Sequence, residues 1–187
     1  MNLYLPESLA VGGKNYAIRW DWRAAMEIFA ALCDPDLDDQ ERALTALIIL
    51  YPELDAIPPA YYAEALQQAL HFLNGGAEER DARPRPRLMD WEQDLPLIVG
   101  PVSRILGRDV RGAERLHWWT FLSAYMEIGD CTFAQVVGIR KKRLEGRKLS
   151  REDRDFLREN RDLIDIKNRY SEAEEAALAI WGGTERK

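Results

Sequence analysis

The fold predicted for this chain depends mainly on the stretch Leu116–Lys148, LHWWTFLSAYMEIGDCTFAQVVGIRKKRLEGRK. It predicts two helices separated by a break at Gly129-Asp130. The first helix carries one apolar stripe at helical spacing, formed by Trp118, Phe121, Leu122, Tyr125 and Met126. The second helix is predicted to open at Thr132, with Gln135 as its capping-box partner.

The second predicted helix changes from apolar to cationic along its length. Phe133, Val136 and Val137 are followed by Arg140, Lys141, Lys142 and Arg143. Cations near a helix C-terminus complement the helix dipole, so part of this charge needs no partner to explain it. The rest marks a candidate partner-binding surface, predicted to comprise His117, Trp119, Arg140, Lys141, Lys142 and Arg143.

The adjacent tryptophans admit two interpretations. Neighbouring residues on a helix point about 100° apart, so one ring can fill the core while the other faces outward. We expect Trp118 to be buried and Trp119 to be the more exposed of the two, as an interface anchor whose loss mainly weakens partner binding. If the helix is buried all round, both rings are core.

Composition predicts one mainly α-helical domain. The chain has 187 residues, 47% of them hydrophobic and 31% charged, with a formal net charge of −6. That length supports a real core, and the acidic total argues against a dedicated nucleic-acid binder. Cys33 and Cys131 are predicted to be reduced core thiols. Neither a secretory signal nor a membrane span is expected.

The predicted domain, residues 1–187, is a multi-helix bundle with a small N-terminal β-hairpin. In the hairpin, residues 1–20, Leu9–Val11 and Tyr16–Trp20 flank the turn Gly12–Asn15. Residues 21–73 form a first helical group and residues 90–187 a second. The alternative is two lobes divided by the linker between these groups.

Several features are predicted within the two helical groups. Asp21 caps a helix that ends near Leu32, and the next helix turns Leu44, Leu47 and Ile48 inward. The helix after Pro59 is predicted to bury Tyr62, Leu66, Ala69, Leu70 and Leu73. A later helix after Asp90 contains Pro96 and Pro101, which predict a kink or a start delayed to Asp94. A last helix begins at Ser171 and ends at Gly182-Gly183.

Residues 74–89 form a linker rich in proline and arginine. Its run Arg83–Arg87, RPRPR, favours polyproline II and resists packing. The segment is predicted to be a mobile surface loop, and the alternative is a partner-docking arm.

The residues that carry chemistry are sparse. Two histidines and the lack of metalloprotease, thioredoxin, Walker or hydrolase motifs predict a protein without enzymatic activity, metal or cofactor. A calcium loop starting at Asp34 fails at Asp39 and Thr45, where glycine and glutamate are required. A Cys131–His117 dyad lacks an orienting acid, so Cys131 is expected to be inert.

The chain resembles a bacteriophage family, the gp-fifteen proteins. The resemblance rests on Leu116–Phe121, Glu127–Asp130 and Ile139–Lys142, with support from Asp90–Asp94 and Asp21–Arg23. It implies a tail-region protein of a long-tailed phage, present in the cytoplasm of the bacterial host. It further implies a tail assembly chaperone that binds the tape-measure protein and meets the tail tube subunit, with self-association also possible.

Two other functions stay open at this point. One is a structural completion or connector component of the finished tail, which the sequence does not separate from a chaperone. The other is nucleic-acid binding through the cations just named and two that follow them, Arg147 and Lys148. The acidic total and the lack of a known reader motif argue against nucleic acid.

Overall fold

The computed structural model describes residues 4–77 and 86–167. It begins with an antiparallel hairpin of β1 (Ser8–Val11) and β2 (Lys14–Ala17), in which Leu9 pairs with Tyr16. Gly12 and Gly13 both have positive φ and form a two-residue turn, the geometry that matches strand twist. The hairpin prediction is confirmed, although β2 begins and ends earlier than predicted because the turn is shorter.

The rest of the described chain is helical, which confirms the mainly α fold. The α-helices are α1 (Trp22–Leu32), α2 (Asp39–Leu50), α3 (Tyr62–Leu73), α4 (Trp91–Leu106), α5 (Trp118–Met126), α6 (Thr132–Leu144), α7 (Arg151–Glu159) and α8 (Arg161–Ile164). Two 3-10 helices, Leu54–Ala56 and Pro59–Tyr61, join α2 to α3. The helix predicted from Ser171 and the first part of the RPRPR run, residues 83–85, lie outside the described residues.

Side-chain caps fix several helix starts. Asp21 caps α1, and Asp38 with Glu41 forms a capping box at α2, so the acidic loop before α2 does serve as its cap. Ser150 starts α7 in the same way. The capping box predicted for α6 is wrong: Thr132 is already helical, and the residue before it, Cys131, caps with no side-chain hydrogen bond.

Helix α4 accommodates two prolines in its interior. It begins at Trp91, with the Asp90 side chain accepting from the backbone N–H of Gln93, so the start is not delayed to Asp94. Pro96 and Pro101 both lie within its 16 residues. The helix stops at Gly107, whose φ of 67° is the left-handed conformation common at helix ends.

One apolar core runs from Leu9 in the hairpin to Phe133 in α6 and takes side chains from every α-helix between. Its largest fully buried side chains include Trp118, Tyr51, Phe72 and Phe121. A smaller cluster of Val136, Ile139 and Ile164, with Phe156 and Leu157 packed on it, joins α6, α7 and α8. Helix α6 therefore contributes to both.

The inward faces predicted for α2 and α3 are partly wrong. Leu44 and Ile48 are 44% and 57% exposed, while Ala46, Leu47 and Leu50 are buried. Nearly every residue from 43 to 50 is apolar, so the spacing of apolar residues does not indicate which face of α2 is buried. On α3, Leu70 is exposed, and Phe72 and Leu73 take the core positions. Cys33 is exposed rather than core; both cysteines are free.

An antiparallel β-bridge between Asp21 and His117 joins the N-terminal ends of α1 and α5. The backbone N–H of Trp22 donates to the Leu116 carbonyl at 2.9 Å, and the N–H of Trp118 donates to the Trp20 carbonyl at 2.8 Å. The Leu116 N–H also donates to the Asp21 carboxylate at 2.9 Å. This bridge fixes the stretch that begins at Leu116 against the N-terminal part of the chain.

Candidate partner-binding surface

His117 is an internal capping residue. Its Nδ1 accepts the backbone N–H of Trp119 at 3.0 Å, which caps α5. With Nδ1 as acceptor, Nε2 carries the proton and donates to the Pro6 carbonyl at 3.0 Å. The ring is buried and stacks on Trp20 with centroids 5.5 Å apart. The structure therefore removes His117 from the predicted surface.

Burial lowers the pKa of His117 below its ordinary value. The hydrogen bond with Pro6 and the charges of Glu7 and Asp21 act in the opposite direction and are smaller. The lowered pKa agrees with the hydrogen bonds, because a proton on Nδ1 would face the N–H that this nitrogen now accepts.

The lowered pKa makes stability depend on pH. The unfolded histidine, with a pKa of about 6.5, takes up a proton at higher pH than the folded one. We expect the stabilisation to be complete above about pH 7 and to decrease as the pH falls from about 6.5 toward the folded-state pKa. Thermal melts of His117→Asn, which keeps a capping group but does not titrate, should lack this decrease.

The matched control is the other histidine, His71, which is exposed on α3. His71→Asn should retain the pH profile of the unmodified protein between about pH 7.5 and about pH 5.5. Identical profiles for His117→Asn and the unmodified protein over that range would contradict the assignment.

The adjacent tryptophans cap the end of α3. The indole N–H of Trp118 donates to the Leu73 carbonyl at 2.9 Å, and that of Trp119 donates to the Phe72 carbonyl at 2.8 Å. Carbonyls in the last turn of a helix lack helical partners. The Trp118 bond therefore satisfies the Leu73 carbonyl, while the Phe72 carbonyl also accepts the backbone N–H of Gly75 at 3.0 Å. Trp118 is fully buried and Trp119 half-buried, in the predicted order.

Trp119 also packs tightly against its neighbours. Its ring stacks on Phe72 with centroids 6.2 Å apart. A Cβ placed on Gly76, which has a φ of 75°, would come within 2.7 Å of that ring. These contacts are sufficient to explain Trp119 without a partner.

Arg140 lies in the interior and is only 4% exposed. Its guanidinium forms a two-pronged ion pair with Asp94, at 2.6 Å from Nη1 and 2.9 Å from Nη2. It also donates to the carbonyls of Leu88, Leu163 and Ile164. The prediction that Arg140 belongs to the partner-binding surface is therefore wrong. Arg140 lies on the buried face of α6, together with Val136 and Ile139.

Asp94 was not recognised from the sequence as the partner of Arg140. It is completely buried on α4, and its Oδ2 also accepts the backbone N–H of Asp90 at 2.9 Å. The available signal was an acid one turn before Ile98, on the apolar face of the helix. A buried charge requires a partner, so that position pointed to an arginine elsewhere in the chain.

The other cations of the run do lie at the surface. Residues 141–151, which we call the cationic tip, contain six basic residues and one acidic residue, a net charge of +5 in a chain of −6. Lys142 pairs with Asp153 at 2.6 Å, and Arg143 pairs with Asp165. Lys141 and Lys148 are exposed. The tip is thus a local reversal of the overall charge.

One exposed apolar side chain lies among the basic residues of the cationic tip. Leu144, the last residue of α6, is 58% exposed. It borders a cleft of about 550 Å³, whose other lining residues are Arg87, Arg140, Arg143, Ile164, Asp165 and Ile166. Leu144 thus places an apolar side chain beside a concave surface lined by arginines, which makes this cleft a candidate site for binding another protein.

The described residues contain neither a metal-binding cluster nor a helix that could cross a membrane. Over residues 4–77 and 86–167, no group of three or more histidine, cysteine, aspartate or glutamate side chains is arranged to hold a metal ion. Within the same residues, no helix has both the length and the apolar character needed to cross a membrane.

Comparison with known proteins places the chain among phage proteins. The family described as Bacteriophage Gp15 protein matches residues 1–166. The chain belongs to this family, which confirms the resemblance carried by the His-Trp-Trp motif and the basic helix after it. No curated protein and no solved structure matches the chain.

Proposed function

We propose that this phage protein is a tail assembly chaperone, without enzymatic activity, that binds the tape-measure protein in the host cytoplasm. The observation that carries the proposal is the cationic tip with exposed Leu144 at its centre. Membership in the Bacteriophage Gp15 protein family supports the phage context. Chaperones of this kind are displaced by tail tube subunits, so the tube subunit is a second expected partner.

The properties of the tip suit a temporary complex. A chaperone that is later displaced needs contacts that form quickly and release readily. Surface charge accelerates encounter more than it increases affinity, and one exposed leucine adds a small apolar anchor. A long helical client can be held by repeated contacts of this type along its length.

Co-expression with the tape-measure protein of the same phage tests the proposal. We expect the tape-measure protein to be soluble only in the presence of this chain, and the two to elute together in gel filtration. The chain should also be absent from purified virions analysed by mass spectrometry. A tape-measure protein that stays insoluble and unbound would refute the proposal, and abundant chain in virions would favour a structural tail component.

A further inference from the structure

We infer that the cationic tip binds an acidic amphipathic helix, with glutamate or aspartate along one face and leucine-like residues along the other. The inference rests on the proposed function in one respect: the client is the protein expected to carry such a helix. Three features of the tip support it: its charge, its apolar centre and the hydrogen bonds that hold its base.

Charge complementarity selects an acidic partner. Lys141 and Lys148 are exposed, and Lys141 lies about one helical turn before Leu144 on α6. Arg147 pairs with Glu145 at the surface. Exposed ion pairs of this kind contribute little to stability, so arginine can exchange one carboxylate for another at small cost. An approaching acidic helix therefore finds several cations available to it.

The apolar centre selects an amphipathic partner. Leu144 and Ile166 both line the cleft. Covering an exposed leucine removes apolar surface from water, which favours binding by about 25 cal/mol per Å². A helix with one apolar stripe can cover Leu144 and Ile166 while its acidic flanks reach Lys141 and Lys148.

The base of the tip is held in place before binding. Arg140 joins α6 to Asp94 on α4 and to the carbonyls of Leu163 and Ile164 on α8. Lys142 braces α6 against Asp153 on α7. A surface ordered in advance loses less entropy when a partner binds, so a small contact area suffices.

The lining of the cleft disfavours single-stranded nucleic acid. Single-stranded nucleic acid is usually held by bases stacked on aromatic rings. Among the described residues, no aromatic side chain lines this cleft.

Fluorescence anisotropy with the full chain tests the inference. The probe is a fluorescein-labelled synthetic peptide of about 18 residues, five helical turns, with glutamates on one face and leucines on the other. We expect binding that weakens as salt screens the charges. Leu144→Asp should weaken binding at least about tenfold, and the double variant K141E/K148E should weaken it to a similar extent.

The matched control is Leu70→Asp, since Leu70 is also exposed, at 42%, but lies on α3. It should bind the peptide as the unmodified chain does, and all variants should keep the unmodified circular dichroism spectrum and Tm. Unchanged affinity in Leu144→Asp would overturn the inference. So would a single-stranded oligonucleotide that binds the tip more tightly than the peptide.

The outcome separates the inference from the proposed function. If the peptide does not bind while the tape-measure complex forms, the inference fails and the proposed function stands. If the peptide binds through Leu144 but the tape-measure protein does not, the proposed function fails and the tip serves another acidic partner.

Discussion

Replacing Arg140 with methionine will lower the free energy of unfolding by about 3–5 kcal/mol, because it leaves a buried carboxylate without its partner. Asp94 is completely buried, and methionine offers it no donor. The carbonyls of Leu88, Leu163 and Ile164 lose their donors as well. Urea denaturation followed by circular dichroism measures the change as a shift of the midpoint.

Two further variants identify the cause of that loss. Lys141→Met changes the exposed neighbour of Arg140 and should shift stability by less than about 0.5 kcal/mol. The double variant R140M/D94L removes both charges and should regain a large part of the loss, as buried ion pairs often do when replaced by apolar residues. A double variant no more stable than R140M would contradict this account.

Trp118→Ala is expected to cost about 3–5 kcal/mol, the range for truncating a large buried aromatic residue. The ring is fully buried, with the rings of Trp91, Phe121 and Phe29 at 5.5, 5.7 and 5.8 Å. The substitution leaves a cavity at the centre of the core and an unpaired carbonyl at Leu73. Thermal melting should show a marked fall in Tm.

The neighbouring ring supplies the comparison. Trp119→Ala should cost less, about 1–3 kcal/mol, since Trp119 is half-buried and the Phe72 carbonyl, which loses the indole N–H, keeps the backbone N–H of Gly75. This revises the expectation that Trp119 acts mainly on partner affinity. Trp118→Phe should lower the free energy of unfolding less than Trp118→Ala does, because phenylalanine still fills much of the volume of the indole. A greater loss in Trp119→Ala than in Trp118→Ala would show that burial does not rank these two sites.

Local signals in the sequence predicted much of the fold. Asp21 caps α1 through the nearby backbone N–H of Arg23, so a short window of sequence contains the whole interaction. The stripe through Trp118 and Phe121 identified the buried face of α5 because polar residues interrupt the other faces. Met126, at the end of that stripe, is exposed because the helix stops there.

Interactions between distant residues could not be predicted in the same way. Arg140 belongs to a basic run that is typical of a solvated surface. Only its ion pair with Asp94, 46 residues away, shows that Arg140 is buried. The roles of His117 and Trp119 likewise depend on Pro6 and Phe72. Of the predicted site, Lys141, Lys142 and Arg143 lie at the surface and Trp119 is half-buried, while His117 and Arg140 are buried.

The bridge between Asp21 and His117 has a consequence for the newly made chain. The carboxylate of Asp21 and the N–H of Leu116 that it accepts are 95 residues apart. At about 5–20 residues per second, a ribosome needs on the order of ten seconds to add that length. During this interval the hairpin and α1 have been synthesised, but Phe121, whose ring stacks on Trp22 with centroids 4.9 Å apart, has not. The hairpin and α1 thus wait for a segment made much later before this part of their packing is complete.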